Sequence, residues 1–326
     1  MILLLGTSQN DPATDEVTDW LLYYGAVFIK LTREDFSMGR VKVVIGDGGT
    51  RILFKGVDLM QEVHVVWYRR LDGALDPFGT EKSGLNRSEL QFYVEMQDEY
   101  RDLLQLFFYL LRDKVWLPNY AAFKGNKLLQ LEKARANGFP IPATRIVSDK
   151  EEVMAFHREQ GGGIVNKPIY YVGYYYAGNR AFTAFTNTID EPVLTGMPRV
   201  FYPSLFQERI NGDYEIRAVY LDGQCHSLVW YNPRADKHVD KKLNGDDRAS
   251  HYMPYVLPGE VEQRIGGLMR DLGLEIGMID LIRRGEDYVF LEVNPAGQFL
   301  FESFLGNFYI EKGIAEWLIK MDKKLN

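Results

Sequence analysis

The sequence predicts a mixed chain, α/β at its start and α+β after that, with a first block followed by two lobes and a cleft between them. Three observations carry this. The chain opens β-α-β: Met1 to Leu5 is an apolar run, Asp15 to Tyr24 is helical, and Ala26 to Leu31 is apolar again. From Gly125 onward, short helices alternate with antiparallel strands. The 326 residues exceed one average domain, so two or three are expected.

The elements follow in order. Val41 to Ile45 and Arg51 to Phe54 read as a hairpin around Asp47-Gly48-Gly49. Val63 to Tyr68 is a strand that ends in Trp67-Tyr68-Arg69-Arg70. Arg87 to Lys114 reads as one long helix, with Tyr93, Met96, Tyr100, Leu103, Leu104, Phe107, Leu110 and Leu111 at helical spacing along it. Pro118 and Asn119 close the first block, which sets expected boundaries at 1–117, 118–206 and 207–326. A helix from Gly125 to Asn137 stops at Gly138 and Pro140. A strand (Ala143 to Val147), a helix (Lys150 to Glu159) and a strand (Ile164 to Ile169) follow. Tyr170 to Asn179 reads as a Tyr/Gly-rich loop and Arg180 to Ile189 as strand. Val200 to Ile210 is strand plus linker. Glu215 to Trp230 is a hairpin around Asp222-Gly223, Gly259 to Leu272 a helix, Asp280 to Asn294 a hairpin, and Phe308 to Lys320 a closing helix.

Composition narrows the function. Net charge is −7 and the pI about 5.4, which argues against a general nucleic-acid surface. The single cysteine, Cys225, rules out an intrachain disulfide and fits a reducing compartment. The opening MILLLGTSQ lacks the basic start of a signal peptide, and no run reaches the length of a membrane span. A cytoplasmic protein with no membrane partner is expected. The histidines show no metal-ligand spacing, and the serines no triad register. GDGGT at 46–50 lacks the ending of a P-loop.

The stretch Asp280 to Pro295, DLIRRGEDYVFLEVNP, is the most informative. Strand alternation sends Val289, Leu291 and Val293 one way and Phe290, Glu292 and Asn294 the other. Asp280, paired opposite Phe290, would then sit diagonally from Glu292. Asp280, Glu292 and Asn294 together make a hard oxygen set of the kind Mg²⁺ prefers. The alternative is an amphipathic hairpin with a solvated polar face. Lys127 starts a helix, and Lys167 lies late in an apolar strand. Alone, each reads as a solvated surface lysine; beside the acidic set, each reads as a phosphate partner. Gln207, Glu208, Arg209 and Ile210 form an extended linker that would offer backbone N–H and C=O to an adenine edge, with Glu208 reaching a ribose hydroxyl. An ordinary domain connection is the alternative. Glu215 and Arg217 share a strand face with His226, Leu228 and Trp230. Arg217 would clamp a phosphate or carboxylate, or form only a surface ion pair with Glu215. Arg69 and Arg70 would meet an acidic substrate at the cleft mouth, or line a solvated edge.

From about Pro118 to Asn326, these residues in this order resemble the ATP-grasp superfamily. The segment from Lys127 to Thr144 resembles its first lysine region, NKP at 166–168 its second lysine, QERI its hinge, EIR at 215–217 its arginine strand, and D…LEVNP its metal set. Trp67-Tyr68-Arg69-Arg70 and EVNPAGQFLFES are similar to the microviridin-type, or graspetide, peptide ligases. The opening WLLYYGAVFIKL resembles the grasp-with-spasm maturase subgroup. One departure is the loop after Lys167, IYYVGYYYAGN, where many superfamily members carry a glycine-rich phosphate cover.

The resemblance implies an ATP-grasp fold with an N-terminal α/β domain, a central lobe and a C-terminal lobe. It also implies an ATP- and Mg²⁺-dependent ligase. Asp280, Glu292 and Asn294 would hold Mg²⁺ between the β- and γ-phosphates. Lys127, Lys167, Gln207 to Ile210 and Glu215 would bind nucleotide, and Arg217 with Lys167 would serve the chemistry. A Glu or Asp side chain of a ribosomal precursor peptide would become an acyl phosphate, which a Thr, Ser or Lys side chain would then displace to close a ring. The implied partner is that peptide, its leader docking near Arg180 to Ile189, and the implied assembly is a homodimer. The alternatives are a ligase that adds an amino acid to a peptide or protein end, and a nucleotide-binding regulator without catalysis.

Overall fold

Four successive apolar residues, Ile2 to Leu5, have no polar face to give to water. They form β1 (Ile2–Gly6), buried along its length. The computed structural model describes residues 1–7, 11–69, 71, 86–122, 125–170, 174–177, 180–183, 185–231 and 250–325. A strand buried on both faces belongs inside a parallel sheet. β1 accordingly lies between β2 (Phe28–Thr32) and β6 (Val65–Tyr68), with β7 (Val115–Leu117) beyond β6, all parallel. α1 (Pro12–Tyr23) begins with proline, whose missing N–H costs nothing in a first turn. It lays Ala13, Val17 and Leu21 against Ile2 and Leu4.

The C-terminal helix α10 (Ile310–Leu325) returns to the same face, where Ile314, Trp317 and Leu318 join that cluster. The opposite face is covered by the long helix α4 (Arg87–Leu110) and by β4 (Gly49–Phe54). Asn86 and Glu89 form a capping box at the start of α4. β3 (Val41–Gly46), β4 and β5 (Val57–Asp58) make a separate three-stranded sheet. The short helices α2 (Arg33–Ser37) and α3 (Leu59–Glu62) join these pieces.

The central sheet is antiparallel: β12 (Asn187–Ile189), β9 (Ile164–Lys167), β13 (Val200–Glu208) and β8 (Thr144–Asp149), side by side in that order. α6 (Lys150–Glu159) and α7 (Glu191–Gly196) cover it through Val153, Phe156 and Leu194. The segment expected to be a loop after Lys167 contains β10 (Tyr174–Ala177). It pairs with β11 (Arg180–Thr183) in a hairpin, so Arg180 to Ile189 holds two strands, not one. Tyrosine suits a pleated ladder; the glycines that suggested a loop, at 173 and 178, lie outside the described residues.

The third sheet has five antiparallel strands in the order β16 (His251–Tyr255), β15 (Gln224–Tyr231), β14 (Tyr214–Leu221), β17 (Ile276–Arg284) and β18 (Asp287–Asn294). The Asp222-Gly223 turn has positive φ at both residues, 44° and 94°, as a two-residue hairpin requires. α8 (Gly259–Leu272) and α5 (Lys127–Ala136) bury Val261, Ile265, Leu268, Leu131 and Ala134 against one face. α5 precedes the central sheet in sequence yet packs on this one. The short helix α9 (Leu300–Gly306) follows β18. β16, α7 and α9 were not expected from the sequence.

Candidate functional site

The face of the five-stranded sheet away from α5 and α8 carries a row of charges. Arg217 on β14 pairs opposite Asp280 on β17, and Asp280 pairs opposite Glu292 on β18. The expected diagonal is therefore corrected to a direct cross-strand pair. The cause is a β-bulge: Leu281 pairs with Phe290 and Asp280 with Glu292, so Leu291 is the extra residue. Below the bulge Tyr288 and Phe290 face the core, and above it Val293 does. Phe290 thus lies opposite to the face of Glu292, not on it.

Two carboxylates directly opposite each other repel unless cations neutralise them. Cations arrive from separate elements. Asn126 caps α5 by accepting from the Leu128 and Leu129 N–H groups, which fixes Lys127 at the first helical position. The Lys127 ammonium lies 3.0 Å from Glu292 Oε2. Gln130, one turn on and buried, bonds both backbone groups of Val293, donating to its C=O at 2.8 Å and accepting its N–H at 3.0 Å. That amide pair anchors β18 between Glu292 and Asn294. Lys167 comes from the end of β9, in the central sheet. It keeps some exposed surface as a residue, but its ammonium is enclosed. That enclosure lowers its pKa, while Glu292 and Asp280 pull the other way and Lys127 adds to the lowering. Burial pushes the Glu292 carboxyl up, but Lys127, Lys167 and the Asn294 amide outweigh it and hold it down at about 2.

Asn294 donates its Nδ2 to Glu292 Oε1 at 3.1 Å, which turns its Oδ1 away as an acceptor. Asp280, Glu292 and Asn294 therefore offer ionised or carbonyl oxygens on one face, a donor set that fits a hard divalent cation. Among the described residues, no group of three or more His, Cys, Asp and Glu has metal-holding geometry; the candidate set here is two carboxylates and an amide.

Arg217 is not an open clamp, nor a simple partner of Glu215. Its Nε is 3.1 Å from Asp280 Oδ1 and its Nη1 3.8 Å from Glu302 Oε1. Asp280 foremost, with Glu302, Glu292 and Glu215, raises its pKa further against the cost of burial. Glu302, buried on α9, went unremarked in the sequence; its place in EVNPAGQFLFES, soon after the LEVNP segment, was the available signal.

The linker residues behave unequally. Gln207 is buried and donates to Thr144 Oγ1 at 2.9 Å, so its side chain serves the central sheet. Glu208 accepts from the Ala143 N–H at 3.2 Å and from Arg284 at 3.3 Å. The Glu208 and Arg209 N–H groups donate to Ala143 and Gly163, each at 2.8 Å. Among the described residues no hydrogen bond engages the Ile210 N–H. Gly212 then passes β17 so closely that a Cβ there would collide with the Arg283 carbonyl.

Arg69 lines no solvated edge. It is buried, and its guanidinium reaches the loop that follows β18. Arg70 lies outside the described residues, as do the side chains of the Arg180 to Thr183 part of the expected leader-docking segment.

No protein-family model matches the chain, and no curated protein matches it. Solved structures do. The macrocyclase MdnC, bound with precursor peptide MdnA, from Microcystis aeruginosa MRC is 25% identical over 98% of this chain and 99% of that one, with a TM-score of 0.79. A RiPP-associated ATP-grasp ligase of Chryseobacterium gregarium, in complex with ADP and a leader and core peptide, is 24% identical over 98% of this chain and 96% of its own, with a TM-score of 0.78. The ATP-grasp ligase PsnB, complexed with a phosphomimetic variant of minimal precursor, Mg and ADP, is 19% identical over 98% of both chains, with a TM-score of 0.74. The chain has the fold of ATP-grasp ligases, as its sequence led one to expect.

Proposed function

We propose that this chain is an ADP-forming ATP-grasp ligase that closes side-chain rings in a ribosomal precursor peptide. The carrying observation is the convergence of Lys127, from the start of α5, and Lys167, from the end of β9 in the central sheet, on the Asp280–Glu292 pair. The likeness to macrocyclases solved with precursor peptides supports the substrate class. Asp280, Glu292 and Asn294 would hold Mg²⁺, which supplies charge neutralisation for the β- and γ-phosphates. Lys127 and Lys167 would neutralise the same phosphates. The Ile210 N–H, next to the Glu208 and Arg209 peptides that the central sheet already holds, suits an adenine edge; Glu208 suits the ribose and Glu215 the sheet face beside it.

The chemistry runs in two displacements. A Glu or Asp carboxylate of the peptide attacks the γ-phosphorus, the bond to the β-phosphate oxygen breaks, and ADP leaves. A Thr or Ser hydroxyl, or a Lys amine, then attacks the acyl carbon, loses its proton, and expels phosphate. Arg217 is held on the sheet face by Asp280 and Glu302, so it is preorganised to orient the acyl phosphate. Among the described residues no helix is long and apolar enough to cross a membrane; a cytoplasmic homodimer completes the reading. A ligase that adds an amino acid to a peptide end would use the same site. ATP turnover in the presence of Thr-, Asp- and Glu-rich peptides, against free amino acids, separates the two. Stimulation by peptide alone is expected, and stimulation only by a free amino acid overturns the cyclase reading.

A further inference from the structure

We infer that Arg69 is a positioning residue: from the N-terminal sheet it fixes the turn that follows Asn294, and so sets how the cation ligands face Mg²⁺. The inference rests on the nucleotide reading above.

The position of Arg69 comes from topology. It directly follows β6, at the carboxyl ends of parallel strands. The order β2-β1-β6-β7 reverses direction at β1, so the crevice beyond β1 and β6 is a switch point of the kind where α/β sheets receive ligands. Here a loop of the protein itself enters that crevice. Arg69 is 2% exposed and Asp11 4%, and they pair at 3.3 Å, with Thr14 donating to Asp11 at 2.7 Å. The Asp11 carboxylate compensates the buried guanidinium at Nε and, at 3.4 Å, at Nη2.

The shorter bonds of its terminal nitrogens go to three consecutive residues of the loop. Nη1 donates to the Ala296 C=O, and to the Gly297 C=O at 2.8 Å. Nη2 donates to Gln298 Oε1 at 2.8 Å, and the guanidinium lies over the Phe299 ring. The gripped residues form a turn on Asn294 itself, since the Gly297 N–H donates to the Asn294 C=O at 3.2 Å. A Cβ on Gly297 would lie 3.0 Å from the Asn294 Cβ and 2.8 Å from Met278 Sδ, so the turn packs hard against the ligand's own side chain. Beyond the turn the chain enters α9 and presents Glu302 to Arg217. One guanidinium thus braces the segment that joins Asn294 to Glu302. Outer residues that orient metal ligands commonly carry 10- to 100-fold of metal affinity.

The test uses ADP as probe, titrated calorimetrically with Mg²⁺ and again with chelator, for the full-length chain. Arg69→Lys keeps a cation for Asp11 but lacks the planar fork. It should lose roughly tenfold of the Mg²⁺-dependent gain in ADP affinity, leave the affinity in chelator unchanged, and keep the Mg²⁺-free melting temperature within a few degrees. Gln298→Ala removes one prong without touching the Asp11 pair and should give a smaller loss of the same kind, which covers the case in which Arg69→Lys does not fold. A Mg²⁺-dependent gain equal to wild type in both variants overturns the inference, as does a loss equal with and without Mg²⁺, which would mark a merely structural role. If the wild-type chain itself shows no Mg²⁺-dependent gain, the nucleotide reading fails, and this inference falls with it.

Discussion

Asp280 and Glu292 face each other directly across β17 and β18, because the bulge at Leu291 advances Glu292 into register. Such a pair is costly alone, and the fold compensates it with Lys127, Lys167 and Arg217. A site that sets two facing carboxylates among three cations, with Glu302 beyond Arg217, is prepared for a ligand that exchanges partners with both signs of charge. Triphosphate with a divalent cation is such a ligand.

The acid limb of stability should report this arrangement. The Glu292 carboxyl is lowered from 4.5 to about 2, so its contribution is complete above about pH 4.5 and is lost as pH falls toward about 2. At 1.36 kcal/mol per pH unit that is on the order of 3 kcal/mol. Urea unfolding near pH 5 and near pH 3 should show a smaller drop in Glu292→Gln than in wild type; equal drops would contradict the paired, ionised Glu292. The same variant should fold and lose ligation.

Lys127→Ala and Lys167→Ala should each weaken ADP binding by about 1.5–3 kcal/mol, the worth of a charge-assisted hydrogen bond. Lys167 adds a proton signature. Burial lowers its pKa, and an adjacent phosphate would raise it again, so ADP binding should take up protons at alkaline pH. Calorimetry in buffers of different ionisation enthalpy reads this directly, and Lys167→Ala should abolish it. Proton release by wild type would remove Lys167 from the phosphate site.

Arg217 must be tested with its carboxylate partners in mind. Arg217→Ala leaves Asp280 and Glu302 uncompensated, and such a loss costs about 3–5 kcal/mol of stability. Arg217→Lys is the informative variant. It should hold ADP affinity near wild type while turnover falls about a hundredfold. A parallel fall in both would place Arg217 on the ground-state nucleotide instead.

Gln130 offers a test outside the charged row. Gln130→Leu leaves the Val293 N–H and C=O without their buried partner, which should cost about 1–3 kcal/mol for each group left unsatisfied. It should also weaken the Mg²⁺-dependent gain in ADP affinity, because β18 is loosened between Glu292 and Asn294. Wild-type stability in denaturant unfolding would show that the amide bonds are replaced.

Much of this was legible in the sequence, for physical reasons that differ by residue. Lys167 was unusual late in an apolar strand, but it and Lys127 read as phosphate partners only beside the acidic set of Asp280 and Glu292. The Asp222-Gly223 turn and the helix from Gly259 to Leu272 followed from local chemistry that tertiary contacts left alone. The bulge did not show: Val289, Leu291 and Val293 alternate as a regular strand would, and only pairing with β17 reveals the extra residue. α9 is seven residues long, too short for helical periodicity to declare itself, so Glu302 stayed hidden. The duty of Arg69 depends on a loop more than two hundred residues away, which no local pattern encodes. The tyrosine-rich segment after Lys167 was read from its glycines, when its tyrosines were the better guide.

Ring closure by the chain's ATP chemistry is read most directly in the mass of the product. Incubation with ATP, Mg²⁺ and a Thr-, Asp- and Glu-rich precursor peptide should release ADP and yield a peptide lighter by one water per link, no longer open to carboxylate-directed labelling at the linked residues. Mild base should reopen the links if hydroxyls are the nucleophiles, and leave them intact if an amine is. A peptide that gains the mass of an amino acid, or ADP release with no change in peptide mass, would contradict the account.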